Sequence, residues 1–301
     1  MVDVIGVGAS SVDFVYQLPD TPAPDSPTAK LRIRRHLISP GGQTATAMCA
    51  CASLGLAARY VGTVGSDAHA RTLLDTLETH GVDASHVIVR EAPSPYAVIL
   101  LDERHGERIV LWDRHPLAAL RVEDVMTMDL SGARVVHVDD VDVDAAIEAA
   151  RRARVRSARV TSDIEAVGPS AAVLVDAVDV AIFAEHVPQA LAPRPTIEAS
   201  LQALKGRDDQ WLAVTRGARG AVLSAGGEVY RVDGHDVPVV DTTGAGDVFR
   251  GAFIAALVRG DAPADVLRFA NAAAAVSCTR IGAIAGVPTR AEVEALLGAQ
   301  K

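Results

Sequence analysis

The sharpest chemical signal is the run Val239-Val240-Asp241-Thr242-Thr243-Gly244-Ala245-Gly246-Asp247-Val248-Phe249-Arg250-Gly251-Ala252-Phe253. A strand-like entry leads into a glycine-rich turn, and an apolar helix begins at once. The first amides of such a helix have no partner within it, and with the helix dipole they make a site for an anion. Gly244 and Gly246 let the backbone come close to a phosphate where a Cβ would stand in the way. Asp247 falls at the helix start, where it either faces the contents of that site or serves as an ordinary N-cap.

Other candidate motifs are weaker. Gly6-Val7-Gly8-Ala9-Ser10-Ser11 begins like a dinucleotide fingerprint but ends in serine. A phosphate-binding P-loop needs a lysine after its glycines, and Lys30, Lys205 and Lys301 all lie outside such a loop. His137 with Asp139, Asp140, Asp142 and Asp144 has the residue types of a metal site. We read it instead as a strand end whose acidic groups face a crevice or solvent. Cys49 and Cys51 sit in an alanine-rich stretch and Cys278 lies far away, so these are expected to be free thiols of a reducing compartment.

The elements that must position these residues alternate along the chain. Val2 to Gly8 suits a buried first strand, and residues 19 to 29, with Pro19, Pro22, Pro24 and Pro27, must be irregular. Lys30 to Ile38 alternates like an exposed strand, Gln43 to Leu54 is a small-residue helix, Arg59 to Val64 a strand, and Ala68 to His80 a helix closed by Gly81. Tyr96–Leu101 and Glu107–Trp112, around Asp102-Glu103-Arg104-His105-Gly106, form a hairpin signal. From Arg134 onward strands and helices alternate, and the last third is helical. Such alternation implies a largely parallel sheet with helices on both faces. The β-only stretches 10–38 and 95–113 interrupt the rhythm and are expected to form a small separate sheet.

Composition narrows the function further. A chain of 301 residues with 49% hydrophobic and 22% charged residues is globular, of one large α/β domain or two smaller ones. Its net charge of −9 argues against tracking nucleic acid phosphates, and the basic run Arg151-Arg152-Ala153-Arg154-Val155-Arg156 reads as a helix C-terminus. No apolar run is long enough for a membrane span, and the first strand begins at Val2, so a cytoplasmic protein is expected.

With Phe249, Gly251 and Phe253, the run from Asp241 to Asp247 resembles the C-terminal signature of the PfkB (ribokinase-like) carbohydrate kinases. Gly41-Gly42 with the following helix, Leu54-Gly55, and Val61-Gly62-Thr63-Val64-Gly65-Ser66-Asp67 resemble the N-terminal signature, about 200 residues earlier. The resemblance covers nearly the whole chain. It implies a three-layer ribokinase-like α/β fold, with residues 1–9, 39–94 and 114–301 as the core and 10–38 and 95–113 as a β-sheet lid. The implied activity is ATP-dependent phosphorylation of a hydroxyl of a small sugar, with a nucleoside as the alternative acceptor and a non-catalytic binding protein as the other. Asp247 would be the base, and the amides of Gly244, Ala245 and Gly246 the anion hole. A carboxylate at a helix N-terminus is ordinarily a weak base, but phosphoryl transfer passes through a loose transition state in which positioning outweighs basicity.

By the same resemblance, Asp13, Gly41, Gly42, Thr46, Lys30 and Trp112 would meet the sugar, and Thr215, Gly217, Gly220, Thr243 and Asn271 the ATP. Glu185 would hold Mg2+ through water, and Asp241 with Thr243 a monovalent cation such as K+. A homodimer through the lids is implied, with no nucleic acid or membrane partner. Thr46 stands where the family usually has Asn, and Ala184-Glu185-His186-Val187 retains only Glu185 of the family's Asn-x-x-Glu. Thr46, Cys278-Thr279-Arg280 and Ala285-Gly286-Val287-Pro288 resemble the sulfofructose kinases within the family. Trp112 and Val141, however, stand where a sulfonate would be met, with Lys30, Asp113 and Arg114 nearby, so that specificity is not implied.

Overall fold

The computed structural model describes residues 2–299 except 24, 26 and 105. Pro24 of the proline-rich stretch, His105 of the hairpin turn and Lys301 therefore lie outside the described residues. In chain order the strands are β1 (Val4–Val7), β2 (Ser11–Leu18), β3 (Arg35–Gly41), β4 (Ala58–Val61), β5 (Thr63–Val64), β6 (Ile88–Val89), β7 (Tyr96–Asp102), β8 (Arg108–Asp113), β9 (Val135–Val138), β10 (Arg159–Ile164), β11 (Val180–Ala184), β12 (Trp211–Thr215), β13 (Ala221–Ala225) and β14 (Glu228–Val232). The helices are α1 (Gln43–Ser53), α2 (Ala68–Thr79), α3 (Val122–Thr127), α4 (Val143–Val155), α5 (Ala171–Ala177), α6 (Val187–Leu191), α7 (Ile197–Leu204), α8 (Ala245–Arg259), α9 (Pro263–Ser277) and α10 (Arg290–Gly298).

The central sheet has the order β14-β13-β12-β11-β10-β9-β1-β4, parallel from β12 to β4 and antiparallel at β12–β13–β14. Its strands are apolar at successive positions because both faces are covered. Val4 and Val135 join a core with Met48 of α1, Phe253 of α8 and Ala272 of α9, whereas Ile5 and Val136 face Ile147 of α4, Leu174 of α5 and Leu201 of α7. β1 has β4 on one side and β9 on the other, so the chain order reverses there. Open α/β sheets bind ligands beyond the strand ends at such a point.

A second sheet, ordered β3-β2-β7-β8, stands apart with its own small core of Val15, Ala97, Ile99 and Leu101. Phe14 on β2 makes edge-on ring contacts with Tyr96, 6.0 Å away, and with His69 of α2 at 5.3 Å. Asp67 caps α2 and also accepts from Ser94 N and Oγ, which ties the connection into β7 to the core.

Some local expectations shift. The strand expected at 30–38 is displaced to Arg35–Gly41, because pairing with β2 runs from Gln17↔Arg35 to Ser11↔Gly41. Arg59–Val64 splits at Gly62, β4 pairing with β1 and β5 with β6. Val239-Val240 joins no strand; Val240 N and Asp241 N donate to Cys278 O instead, at 2.8 and 3.2 Å, so the loop is tied to the end of α9. Among the described residues, no helix is long and apolar enough to cross a membrane.

α8 packs so closely on α1 that a Cβ on Gly251 would lie 2.5 Å from Ala47 O and 2.6 Å from Ala50 Cβ. Gly251→Val should therefore force the helices apart at a cost of about 1–3 kcal/mol. A lowered urea midpoint checks this; an unchanged midpoint would show that the contact is not a constraint.

Candidate active site

A cavity of about 630 Å³ opens where the chain order reverses. Its walls come from Ala9 and Ser10 beyond β1, Asp140 beyond β9, Glu165 beyond β10, the start of α8, and the inner side of the second sheet. Asp13 and Asp247 both line it. The two carboxylates thus look into one space although they come from opposite ends of the chain.

The start of α8 is built by Gly244, whose φ of +76° is left-handed and whose missing Cβ would lie 2.7 Å from Ala283 Cβ. Gly244, not Asp247, is the N-cap, so Asp247 occupies the third helical position and points into the cavity. The amides of Gly246 and Asp247 have no partner inside the helix. The Ala245 amide differs, since it donates to Thr242 O at 3.3 Å.

Burial pushes the Asp247 carboxyl up to about 8; the Arg250 guanidinium opposes the shift and the Glu165 carboxylate adds to it. Arg250, one helical turn on, is sealed from water and ion-paired with the equally sealed Asp163 on β10. Glu165 reaches the same guanidinium at 3.4 Å and is half exposed to the cavity. Oxygens of Asp163, Glu165 and Asp247 lie within 4.8 Å of one another. Sequence reasoning did not single out Asp163, Glu165 or Arg250 as site residues. The signal that could have found them is an acidic strand end opposite a cation spaced one turn after Asp247 on an otherwise apolar helix.

Asp13 is buried on β2, and Ser11 Oγ donates to its Oδ1 at 2.7 Å. Burial raises its carboxyl to about 6; the Ser11 hydrogen bond opposes this, Asp241 adds to it, and Arg108 also opposes it. Gly41 lets the backbone pass Asp13, for a Cβ there would stand 2.3 Å from Oδ2. Gly42 has φ +96° and lies against Ser10, which turns the chain into α1 at the cavity wall. Trp112 lines the mouth and is 76% exposed.

Two expected sugar contacts are not brought here. Thr46 points from α1 into the core, fully buried with no partner for its Oγ1 among the described residues, and Gln43 takes the cavity wall instead. Lys30 is exposed on the segment before β3 and does not line the cavity. The acidic strand end also divides its duties. Asp139 is buried and accepts from Ala9 N and Thr44 Oγ1, both at 2.6 Å, which ties β9 to β1 and α1. His137 is a core residue whose Nδ1 meets Thr161 Oγ1 at 2.9 Å, and burial lowers its ring to about 3. Only Asp140 of this group lines the cavity.

Of the residues expected to meet ATP, Thr243 lines this space and Thr215, Gly217, Gly220 and Asn271 do not. Thr215, Gly217 and Gly220 form the turn after β12, closed by Arg216 N to Gly220 O at 2.8 Å. Asn271 on α9 is buried and donates to Asp233 O at 2.8 Å. Glu185 does not line the cavity; Arg219 at 2.5 Å and Arg216 at 3.3 Å neutralise it. Asp241 accepts from Thr243 N at 2.8 Å and Gly282 N at 2.9 Å, while Thr243 Oγ1 is buried without a hydrogen-bond partner among the described residues.

Residues 3–290 match the profile of the pfkB family carbohydrate kinases. The chain belongs to that family. It is 31% identical to a ribokinase of Bacillus subtilis, over 86% of this chain and 87% of that protein. The structure of Arabidopsis thaliana ribokinase complexed with ribose and ATP superposes with a TM-score of 0.81 at 25% identity, covering 98% of each chain. A fructokinase from Xylella fastidiosa with bound ATP gives 0.83 at 25% identity, covering 100% of this chain and 99% of that one. The fold is accordingly ribokinase-like, with the mostly parallel sheet and the small separate sheet expected from the sequence.

Replacing one partner of a sealed ion pair leaves a buried charge uncompensated. Arg250→Met should lower stability by about 3–5 kcal/mol, and adding Asp163→Asn should recover part of it. Urea unfolding of the single and double variants measures this. Equal midpoints for wild type and Arg250→Met would show that the pair does not hold α8 to β10.

Proposed function

We propose that the protein transfers the γ-phosphoryl group of ATP to a hydroxyl of a small sugar or sugar derivative bound in this cavity. The observation that carries the reading is the shared cavity of Asp13, Asp247 and the open start of α8. In this reading Asp13, oriented by Ser11, accepts from sugar hydroxyls, and Gly41 and Gly42 let the sugar lie along the backbone. Asp247 takes the proton of the attacking hydroxyl. A carboxylate near pH 8 is a far better base than an ordinary one, so burial removes the weakness expected of a helix N-terminus. The amides of Gly244 and Gly246 face the phosphoryl group, with Ala245 shaping the turn.

The acidic group at the cavity suits Mg2+, and Glu165 is the half-exposed carboxylate placed to hold it through water; Asp163 is committed to Arg250. Bound there, Mg2+ would supply charge neutralisation for the ATP phosphates. The unpartnered Thr243 hydroxyl and the Asp241 carboxylate fit a monovalent cation such as K+. Thr215, Gly217, Gly220 and Asn271 are assigned to the nucleotide side. The second sheet acts as a lid that keeps water from the reacting phosphate. A second reading, a nucleoside acceptor, is favoured by the Tyr96 and Trp112 rings on the cavity wall.

β8 is an edge strand whose six residues are all exposed, Ile109, Val110, Leu111 and Trp112 among them. Such an edge invites pairing, and we assign it to a second copy of the chain. Leu111→Glu should then shift the protein from dimer to monomer in light scattering; a monomeric wild type would refute the assignment.

The activity test is ADP release over a panel of sugars and nucleosides. Asp247→Asn should lower kcat by roughly 10²–10⁴-fold. Because the base form of Asp247 gains as pH rises through about 8, kcat/KM should climb with pH and level off above that value. A wild type that binds ATP but turns over no acceptor would indicate a binding protein, and an active Asp247→Asn would remove the proposed base.

A further inference from the structure

Arg108, at the start of β8, is brought to the cavity by the closed hairpin. Two basic side chains line this cavity among the described residues, Arg108 and Arg114. Arg114 is committed, paired with Asp142 through both terminal nitrogens and donating to Ala118 O at 2.8 Å. Arg108 has no carboxylate partner among the described residues. Its Nη1 donates to Thr242 Oγ1 at 2.7 Å, and that hydroxyl donates onward to Gly106 O at 3.2 Å. The guanidinium is thereby held at the loop that leads into Gly244, leaving most of its five donors free.

The hairpin tip closes on the same loop. A Cβ on Gly106 would lie 2.8 Å from Val239 Cγ1 and 3.3 Å from Val240 O. In this arrangement, with the hairpin tip against the core, Arg108 reaches the cavity. Around it the lining is acidic, with Asp13, Asp113, Asp140, Glu165 and Asp247. The incoming phosphoryl group is also negative, so a cation at this position adds to the neutralisation that the amides and a bound Mg2+ would supply.

We propose that Arg108 is a catalytic cation carried by the lid, contacting the phosphoryl group in transit. The inference rests on the phosphotransferase reading above. In the step, the acceptor oxygen bonds to the γ-phosphorus. The bond from that phosphorus to the bridging oxygen breaks, its electron pair leaving on ADP, and the hydroxyl proton passes to Asp247. Negative charge spreads over the three non-bridging oxygens, where a planar fork of N–H donors gains most. Water-exposed γ-phosphate in an open lid gains nothing from Arg108, so the residue also links closure to transfer.

The test compares Arg108→Met, Arg108→Lys and Thr242→Val with wild type. Arg108→Met should lower kcat at least 100-fold with KM for the acceptor within about threefold, and added guanidinium should restore part of the rate. Arg108→Lys should fall between, and Thr242→Val, which removes the anchor but keeps the charge, should cost at most about tenfold. A raised acceptor KM with kcat intact would make Arg108 a substrate-binding group and overturn the proposal. So would equal losses in Arg108→Met and Thr242→Val without guanidinium rescue, the mark of a latch alone. Calorimetry with ADP and aluminium fluoride reads the same contact without turnover. Arg108→Met should weaken that complex at least 30-fold while leaving ADP alone unchanged, and equal weakening of both, or none, overturns the proposal. An inactive wild type that still shows this difference would count against the phosphotransferase reading and not against Arg108.

Discussion

Arg250 and Asp163 form an ion pair with both side chains out of water, and it joins the first turns of α8 to the end of β10. The α8 side of the site takes its place from that joint. It sets the start of α8 against the strand ends, puts Asp247 on the cavity wall, and brings Glu165 beside it. The pair is costly to bury, since two charges lose their hydration. Its return is positional: the helix that presents the amides cannot slide along the sheet without leaving a bare charge inside.

Carboxyl groups of the same cluster are shifted. Burial raises Asp163 well above the ordinary carboxylate range, although Arg250 opposes it, and Asp247 is raised beside it. The Asp247 carboxyl is raised mainly by its own burial, with the Glu165 carboxylate adding to the shift and the Arg250 guanidinium opposing it. Asp13 is likewise raised mainly through burial, and its Ser11 hydrogen bond, which opposes the shift, keeps one oxygen oriented. The two carboxylates share a cavity and differ in their neighbours, Asp247 standing beside Glu165 and Arg250 and Asp13 beside Ser11.

The second sheet has a dual character. Its inner residues Val15, Ala97, Ile99 and Leu101 pack together, while β8 remains exposed along its length. The sheet is held together by a small apolar cluster, and it meets the core at Phe14 and His69 and at the hairpin tip, where Gly106 and Arg108 meet the Val239–Thr242 loop.

The amino-acid sequence by itself determined the alternating strands and helices, the separate β segments, and the glycine turn ahead of Asp247. These depend on local periodicity and on residues such as Gly244 whose backbone conformation few others adopt. Strand ends were less legible, as β3 shows, because its limits follow from pairing with β2. Which acid stands beside Asp247 was decided only by tertiary structure. Glu165 and Glu185 both follow strands of the central sheet, yet packing gives one to Arg250 at the cavity and the other to Arg216 and Arg219. Thr46 and Gln43 are three residues apart on α1, and the direction of the helix against the sheet sends one inward and the other to the cavity. Side-chain partners across hundreds of residues depend on where whole elements dock, and no local pattern records that.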